Sequence, residues 1–317
     1  MKKLLFIIMM FVASIAQAAK QPEKLTVMLD WSPNPDHAPL IIAKQQGYFK
    51  EAGLNVELIN SEKIENPAKF VADKKADIGV TYQPEFMKEV DSGMPLVRIG
   101  TLMDKPLDCI IALKSSGIHH LKDLKGKRIG TTNAGMTNVM LDVMLKSAGI
   151  HENEVQIIPM RKNLTEALIN QQVDAIAGVM RNVEVPALER KNQQLVMFFP
   201  EDHGVPSYNV SIFVTNSDNR HDPRINKFLA AVKKGVEYLD AHPKSAWLSF
   251  AKQYPEANNT VNREIWFATI PYFAEDPSQF DQDEWNKFAA FMQENQLIKT
   301  IQPMSRYAVI AHPETVS

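Results

Sequence analysis

Two stretches of the chain run through the same alternation of apolar and polar positions. In the first, Leu25–Leu29 reads as a strand and Trp31–Asp36 as a polar, proline-rich loop; His37–Gln46 then has helical composition and stops at Gly47. Asn55–Ile59 alternates with period two, Pro67–Lys74 reads as a short helix, and Ala76–Val80 as a further strand. The second stretch begins with a strand at Arg128–Thr131 and a turn at Thr132–Gly135 rich in helix-capping residues. A helix at Met136–Ala148 follows and ends at Gly149. Val155–Pro159, Asn163–Gln171 and Val173–Gly178 continue it as strand, helix and strand. The punctuation repeats as well: an Ala-Gly-apolar step at Ala52 and Ala148, and an Asp-apolar step at Asp77 and Asp174.

Strands alternating with helices predict α/β architecture with parallel sheets covered on both faces. Two copies predict two Rossmann-like lobes with a ligand cleft between them. From Arg224 onward the chain reads as mostly helical, with an apolar stripe at Ile225, Phe228, Leu229, Val232 and Val236 and another at Trp285, Phe288, Ala289 and Met292. These helices are expected to return to the first lobe and make it discontinuous. The expected division is residues 19–108 plus 212–317 for lobe one and 109–211 for lobe two, with crossovers near Asp104–Ile111 and Val205–Val214. Ligands in open α/β sheets sit beyond the carboxyl ends of the strands. The candidate segments are therefore Trp31–His37, Thr81–Glu85, Thr131–Thr137, Met180–Glu184 and Ser207–Asn209.

The N-terminus changes the expected compartment. Lys2 and Lys3, the apolar run Leu4–Ile15 and the small-x-small sequence Ala16-Gln17-Ala18 read as an export signal, with cleavage expected after Ala18. The run is too short to span a bilayer, which takes about 20 apolar residues. The mature chain of about 300 residues suffices for two ordinary domains. Cys109 is the sole cysteine, so an intramolecular disulfide is excluded and a lipid anchor after the signal has no cysteine to use. A periplasmic monomer is expected. Acidic and basic residues are interspersed, with a formal net charge of −2, which argues against a nucleic-acid partner.

With these elements placed, Leu29-Asp30-Trp31-Ser32-Pro33-Asn34-Pro35-Asp36-His37, continuing to Ala43–Phe49, resembles the opening of a known family. Gly79–Pro84, Asp123–Gly130 and Arg181-Asn182-Val183-Glu184 extend the likeness over nearly the whole mature chain. The family comprises the thiamine-pyrimidine-related (ThiY-type) solute-binding proteins and the enzymes that make the thiamine pyrimidine. The resemblance implies a type II periplasmic-binding fold, an ABC permease and ATPase as partners, no cofactor, and a pyrimidine ligand of formylaminopyrimidine or hydroxymethylpyrimidine type. By position it places Trp31 and Tyr82 around the ring, Glu184 at the aminopyrimidine edge, and Tyr208 on the hinge side. The chain departs from the pattern at Met180-Arg181, where relatives often carry an aromatic residue before the Asn-x-Glu.

The chemistry is consistent with those positions. An aminopyrimidine is flat and presents an N–H donor beside a ring-nitrogen acceptor. Aromatic faces stack on it, a carboxylate accepts from its amino group, and Asn34, Gln83 or Asn182 can serve the ring nitrogens. His37 is a further pocket candidate, its alternative being a cap on the helix it opens. The remaining histidines show no spacing expected of a zinc site. Two readings compete. The same scaffold could bind riboflavin, or an alkanesulfonate held by Ser32, Thr131, Thr137 and helix N-termini. The chain could instead be a pyrimidine synthase, but such enzymes look to need a cysteine-rich motif and iron ligands. One cysteine and an export signal argue against that, and no Gly-x-Ser-x-Gly, phosphate loop or Cys-x-x-Cys is present.

Overall fold

The computed structural model describes residues 21–309 apart from 65, 133, 134 and 161; the expected export signal and cleavage site lie outside the described residues, as does part of the Thr131–Thr137 segment. In chain order the strands are β1 (Glu23–Met28), β2 (Leu54–Ile59), β3 (Ile78–Thr81), β4 (Leu96–Met103) and β5 (Asp108–Leu113). They continue with β6 (Arg128–Thr131), β7 (Gln156–Pro159), β8 (Ala175–Met180), β9 (Leu195–Phe198) and β10 (Ser211–Asn216). They form two five-stranded sheets of matching order, β2-β1-β3-β10-β4 and β7-β6-β8-β5-β9.

The expectation of parallel sheets holds for only part of each. β1 runs parallel to β2 and β3, and β6 runs parallel to β7 and β8. β10 lies antiparallel between β3 and β4, and β5 antiparallel between β8 and β9. The cause is topological. β1, β3 and β4 run toward the cleft, so a chain leaving Met103 enters the facing sheet at its cleft edge and must run away from it as β5. The return from β9 into β10 repeats the manoeuvre.

The first sheet is covered by the helices that follow β10. Arg224–Ala241 buries Ile225, Phe228, Leu229, Val232, Val236 and Leu239 along one face. The ring of Phe228 stacks on Phe49 at 5.6 Å and meets Phe213 edge-on at 5.1 Å. This helix crosses Ala38–Gln45 so closely that a Cβ on Gly235 would stand 2.4 Å from the Pro39 carbonyl oxygen. Farther on, Gln282–Glu294 buries Trp285, Phe288, Ala289 and Met292, and Val309 donates its N–H to the Arg98 carbonyl of β4. Apolar clusters on the two faces of the second sheet form its own core. Among the described residues no helix is long and apolar enough to cross a membrane.

Candidate functional site

The loop after β1 is fixed by its own side chains. Asn34 is extended (φ −147°, ψ 178°) and accepts the Asp36 N–H at 2.8 Å, while its Nδ2 donates to the Ser32 carbonyl at 3.0 Å. Pro35 opens the 3₁₀ turn Pro35–His37 that follows, where a missing N–H costs nothing. Asn34 thus employs its polar atoms in shaping the loop. The turn directs His37 inward, where it is 1% exposed and its Nε2 lies 2.5 Å from Asp30 Oδ1.

From the end of β3, Tyr82 donates its hydroxyl to Asp30 Oδ2, also at 2.5 Å. Burial pushes the Asp30 carboxyl upward, but the His37 charge and the hydrogen bonds from His37 and Tyr82 outweigh it and hold Asp30 below the usual carboxylate range. The Asp30–His37–Tyr82 unit lines a narrow cavity of about 10 Å³, the apposed lobes leaving room for about one water molecule. Asp36 and Met103 line it on the same lobe, Met180 faces it from lobe two, and Leu107, Val210 and Ser211 close it at the crossovers.

Lobe two reaches Asp36 through Asn182. The buried Asn182 amide donates to Asp36 Oδ1 at 3.0 Å and to Thr269 Oγ1 at 2.9 Å. Burial pushes the Asp36 carboxyl up to about 6, against the lowering influence of His37 and of these hydrogen bonds. Two residues on, Glu184 opens the helix Glu184–Glu189 and accepts the Met180 N–H at 2.7 Å, capping the turn between them. Burial raises the Glu184 carboxyl as well, assisted by the nearby charges of Asp108 and Asp36.

The other candidates lie further from the cavity. Tyr208 is 3% exposed, donates its hydroxyl to Asp108 Oδ2 where the chain crosses into β5, and stacks on Phe288 at 5.1 Å. Gln83 is fully buried and accepts the Asn209 N–H at 2.7 Å, while its Nε2 has no hydrogen-bond partner among the described residues. Trp31 stands away from the cavity lining with 56% of its surface exposed. Of the two residues at the departure before Asn182, Met180 faces the cavity. Arg181 stacks on Phe199 at 3.9 Å and is held by Glu201 and the carbonyls of Leu107 and Asp108, so its plane is already occupied.

Sequence reasoning left Asp30 and Asp36 off the list of site residues. Both precede His37 in the loop after β1, Asp30 by seven residues and Asp36 by one, where an acid carries no local mark of burial.

With this geometry in place, comparison with known proteins is informative. The profile of the NMT1/THI5-like family matches residues 34–246. The chain belongs to that family. A Haemophilus influenzae member, whose provisional name places it in thiamine biosynthesis, is 39% identical over 288 residues, covering 90% of this chain and 92% of that one. The formylaminopyrimidine-binding protein of Halalkalibacterium halodurans is 26% identical over 245 residues, or 77% of this chain and 74% of that protein. The 4-amino-5-hydroxymethyl-2-methylpyrimidine phosphate synthase THI11 of Saccharomyces cerevisiae is 25% identical over 283 residues, covering 85% and 82%. Among solved structures, the periplasmic aliphatic sulphonate-binding protein SsuA of Escherichia coli superposes with a TM-score of 0.70 at 14% identity, over 93% of this chain and 95% of that one. At that identity the likeness establishes the fold: two α/β lobes of the periplasmic-binding-protein type.

Proposed function

We propose that this protein is the periplasmic solute-binding component of an ABC importer and that its cargo is a thiamine-precursor pyrimidine. The observation that carries the reading is the convergence of an aromatic hydroxyl, a buried His–Asp pair and a second carboxylate, Asp36, on one cavity that Met180 of lobe two also lines. A flat heterocycle with a donor–acceptor edge is the ligand such a lining recognises, because each buried polar group left unpaired by a wrong ligand costs about 1–3 kcal/mol. The family relatives named for pyrimidine binding and pyrimidine synthesis support the same chemistry. Glu184 and Asn182 would approach the ring edge from lobe two, and exposed Trp31 offers an apolar face that a bound ring could cover.

A sulfonate is disfavoured by the charges at the cleft. Arg181 is held by Glu201, and the His37 ring is taken up by Asp30, so neither side chain is free to receive an anion at the cavity. Binding without turnover is favoured over synthesis, since the nearest thiol, Cys109, is buried in β5 with its ionisation suppressed by that burial.

The test is a thermal-shift and calorimetric screen of the mature chain, Ala19 to Ser317, against hydroxymethylpyrimidine, formylaminopyrimidine, thiamine, riboflavin and taurine. A ligand at 100 times its dissociation constant adds about 2.7 kcal/mol of stability. Stabilisation by the pyrimidines alone is the expected outcome. A response to riboflavin or taurine instead would retain the transport role and reject the pyrimidine.

A further inference from the structure

We infer that Asp36 is a specificity-determining residue of this cleft, selecting a ligand that presents a cationic, amidine-like N–H edge to lobe one. The inference rests on the inter-lobe cavity as the binding site and deepens the pyrimidine reading, but it does not depend on the pyrimidine ring. Three observations support it.

The first is a charge imbalance. The ion pairs around the cavity are Asp30–His37, Glu201–Arg181 and Glu85–Lys88. Asp36, Asp108 and Glu184 make no ion pair among the described residues, and the neighbouring His37 and Arg181 offset the burial of Asp36 and Asp108 only in part. Burial raises all three carboxyls, the mark of anionic groups whose charge the protein does not balance. A ligand bringing a positive or strongly donating edge relieves this, and one bringing a negative charge aggravates it.

The second is the geometry at Asp36. Both Asn182 and Thr269 address Oδ1, and no described residue donates to Oδ2. Since Asp36 lines the cavity, Oδ2 is the acceptor offered to a ligand.

The third comes from lobe two. Asn182 is 1% exposed, and its Oδ1 has no hydrogen-bond partner among the described residues. Flipping the amide would set that oxygen against the Asp36 carboxylate, so the orientation is fixed by charge. The residue that holds Asp36 thus carries a buried acceptor without a partner, which a ligand bringing a second N–H next to the one met by Asp36 would satisfy. An exocyclic amine next to a protonated ring nitrogen supplies that pattern, and so does a simple amidinium.

The test is titration calorimetry of the full mature chain and of its Asp36→Asn variant with four probes. These are 4-amino-5-hydroxymethyl-2-methylpyrimidine, its 4-oxo counterpart, benzamidinium as an amidine without the pyrimidine ring, and taurine as an anion. The wild type is expected to prefer the amino compound to the oxo compound by roughly 10- to 100-fold, the range of a charge-assisted hydrogen bond. In Asp36→Asn that preference is expected to collapse to within about threefold, with circular dichroism unchanged. Benzamidinium binding to the wild type without pyrimidine binding would refute the pyrimidine reading and leave this inference standing. An unchanged amino-over-oxo ratio in Asp36→Asn, or a wild type that favours taurine, would overturn it. Should the variant fail to fold, the wild-type ratio decides, and a value near one rejects the inference.

Discussion

A carboxylate kept for recognition is expected to weaken the fold that holds it. Asp36 is such a group: its acid dissociation moves from an ordinary 3.8 to about 6 on burial. The folded state therefore binds the proton more tightly than the unfolded state. Stability from this residue is fully present below about pH 4 and is lost as pH rises toward 6. The Asp36→Asn variant removes the titration. It is expected to be more resistant to urea than the wild type at pH 8 by roughly 1–3 kcal/mol, with the gap shrinking toward pH 4.5. Equal midpoints at both pH values would show that the charge is not strained. Trp31 is the opposite case. With its ring mostly in solvent, Trp31→Ala should change stability by less than about 0.5 kcal/mol while lowering pyrimidine affinity in calorimetry. These two residues also mark what was legible locally. Tyr82 and His37 could be chosen because an aromatic and a histidine after strand ends are conspicuous. Asp30 and Asp36 could not, because an acid in a polar loop looks solvated until a tertiary partner such as Asn182 or Tyr82 is known to cover it.

Among the elements, the crossing of Arg224–Ala241 over Ala38–Gln45 couples the core to the cleft, since the second helix begins one residue after His37. Gly235 permits that crossing. Alanine would gain helix propensity of about 1 kcal/mol there, but its Cβ would press on the Pro39 carbonyl, a backbone atom that cannot swing aside. The clash is expected to win. Gly235→Ala should lower stability by about 1–3 kcal/mol in urea titrations and also weaken ligand binding by shifting His37. Neutral stability would mean the two helices can slide apart. The amphipathic stripe of Arg224–Ala241 and the repeated strand–helix order were readable because each is a local periodicity. β4 was not, since Arg98 and Gly100 interrupt its apolar run. Arg98 is nonetheless fully buried, its guanidinium bonded to Thr101 and the Gln279 carbonyl and lying 4.6 Å over the Phe280 ring. The direction of β5 and β10 was equally hidden, because strand sense follows from where the chain crosses between sheets and leaves no local mark.

For the whole molecule, the consequence of two lobes is an equilibrium between separated and apposed arrangements, and ligand acts on it only through contacts made better in one of them. Asn182 supplies such a contact: it joins β8's end to Asp36 and to Thr269, the latter on a helix that also reaches lobe two through the exposed Glu264–Arg190 pair. The surface pair adds little, since exposed ion pairs contribute about 0–1 kcal/mol. The buried amide should dominate. Asn182→Ala is therefore expected to shift the unliganded protein toward the separated arrangement and enlarge its radius of gyration in small-angle scattering. Saturating ligand should restore the compact value, at an affinity reduced by the fraction of the apposed state lost. Glu264→Gln, which removes only the surface pair, should leave both measurements near wild type. If Asn182→Ala scatters like the wild type yet binds more weakly, Asn182 acts on the ligand alone. If it scatters and binds like the wild type, the apposition of the lobes is set elsewhere, by the crossover segments where Tyr208 meets Asp108.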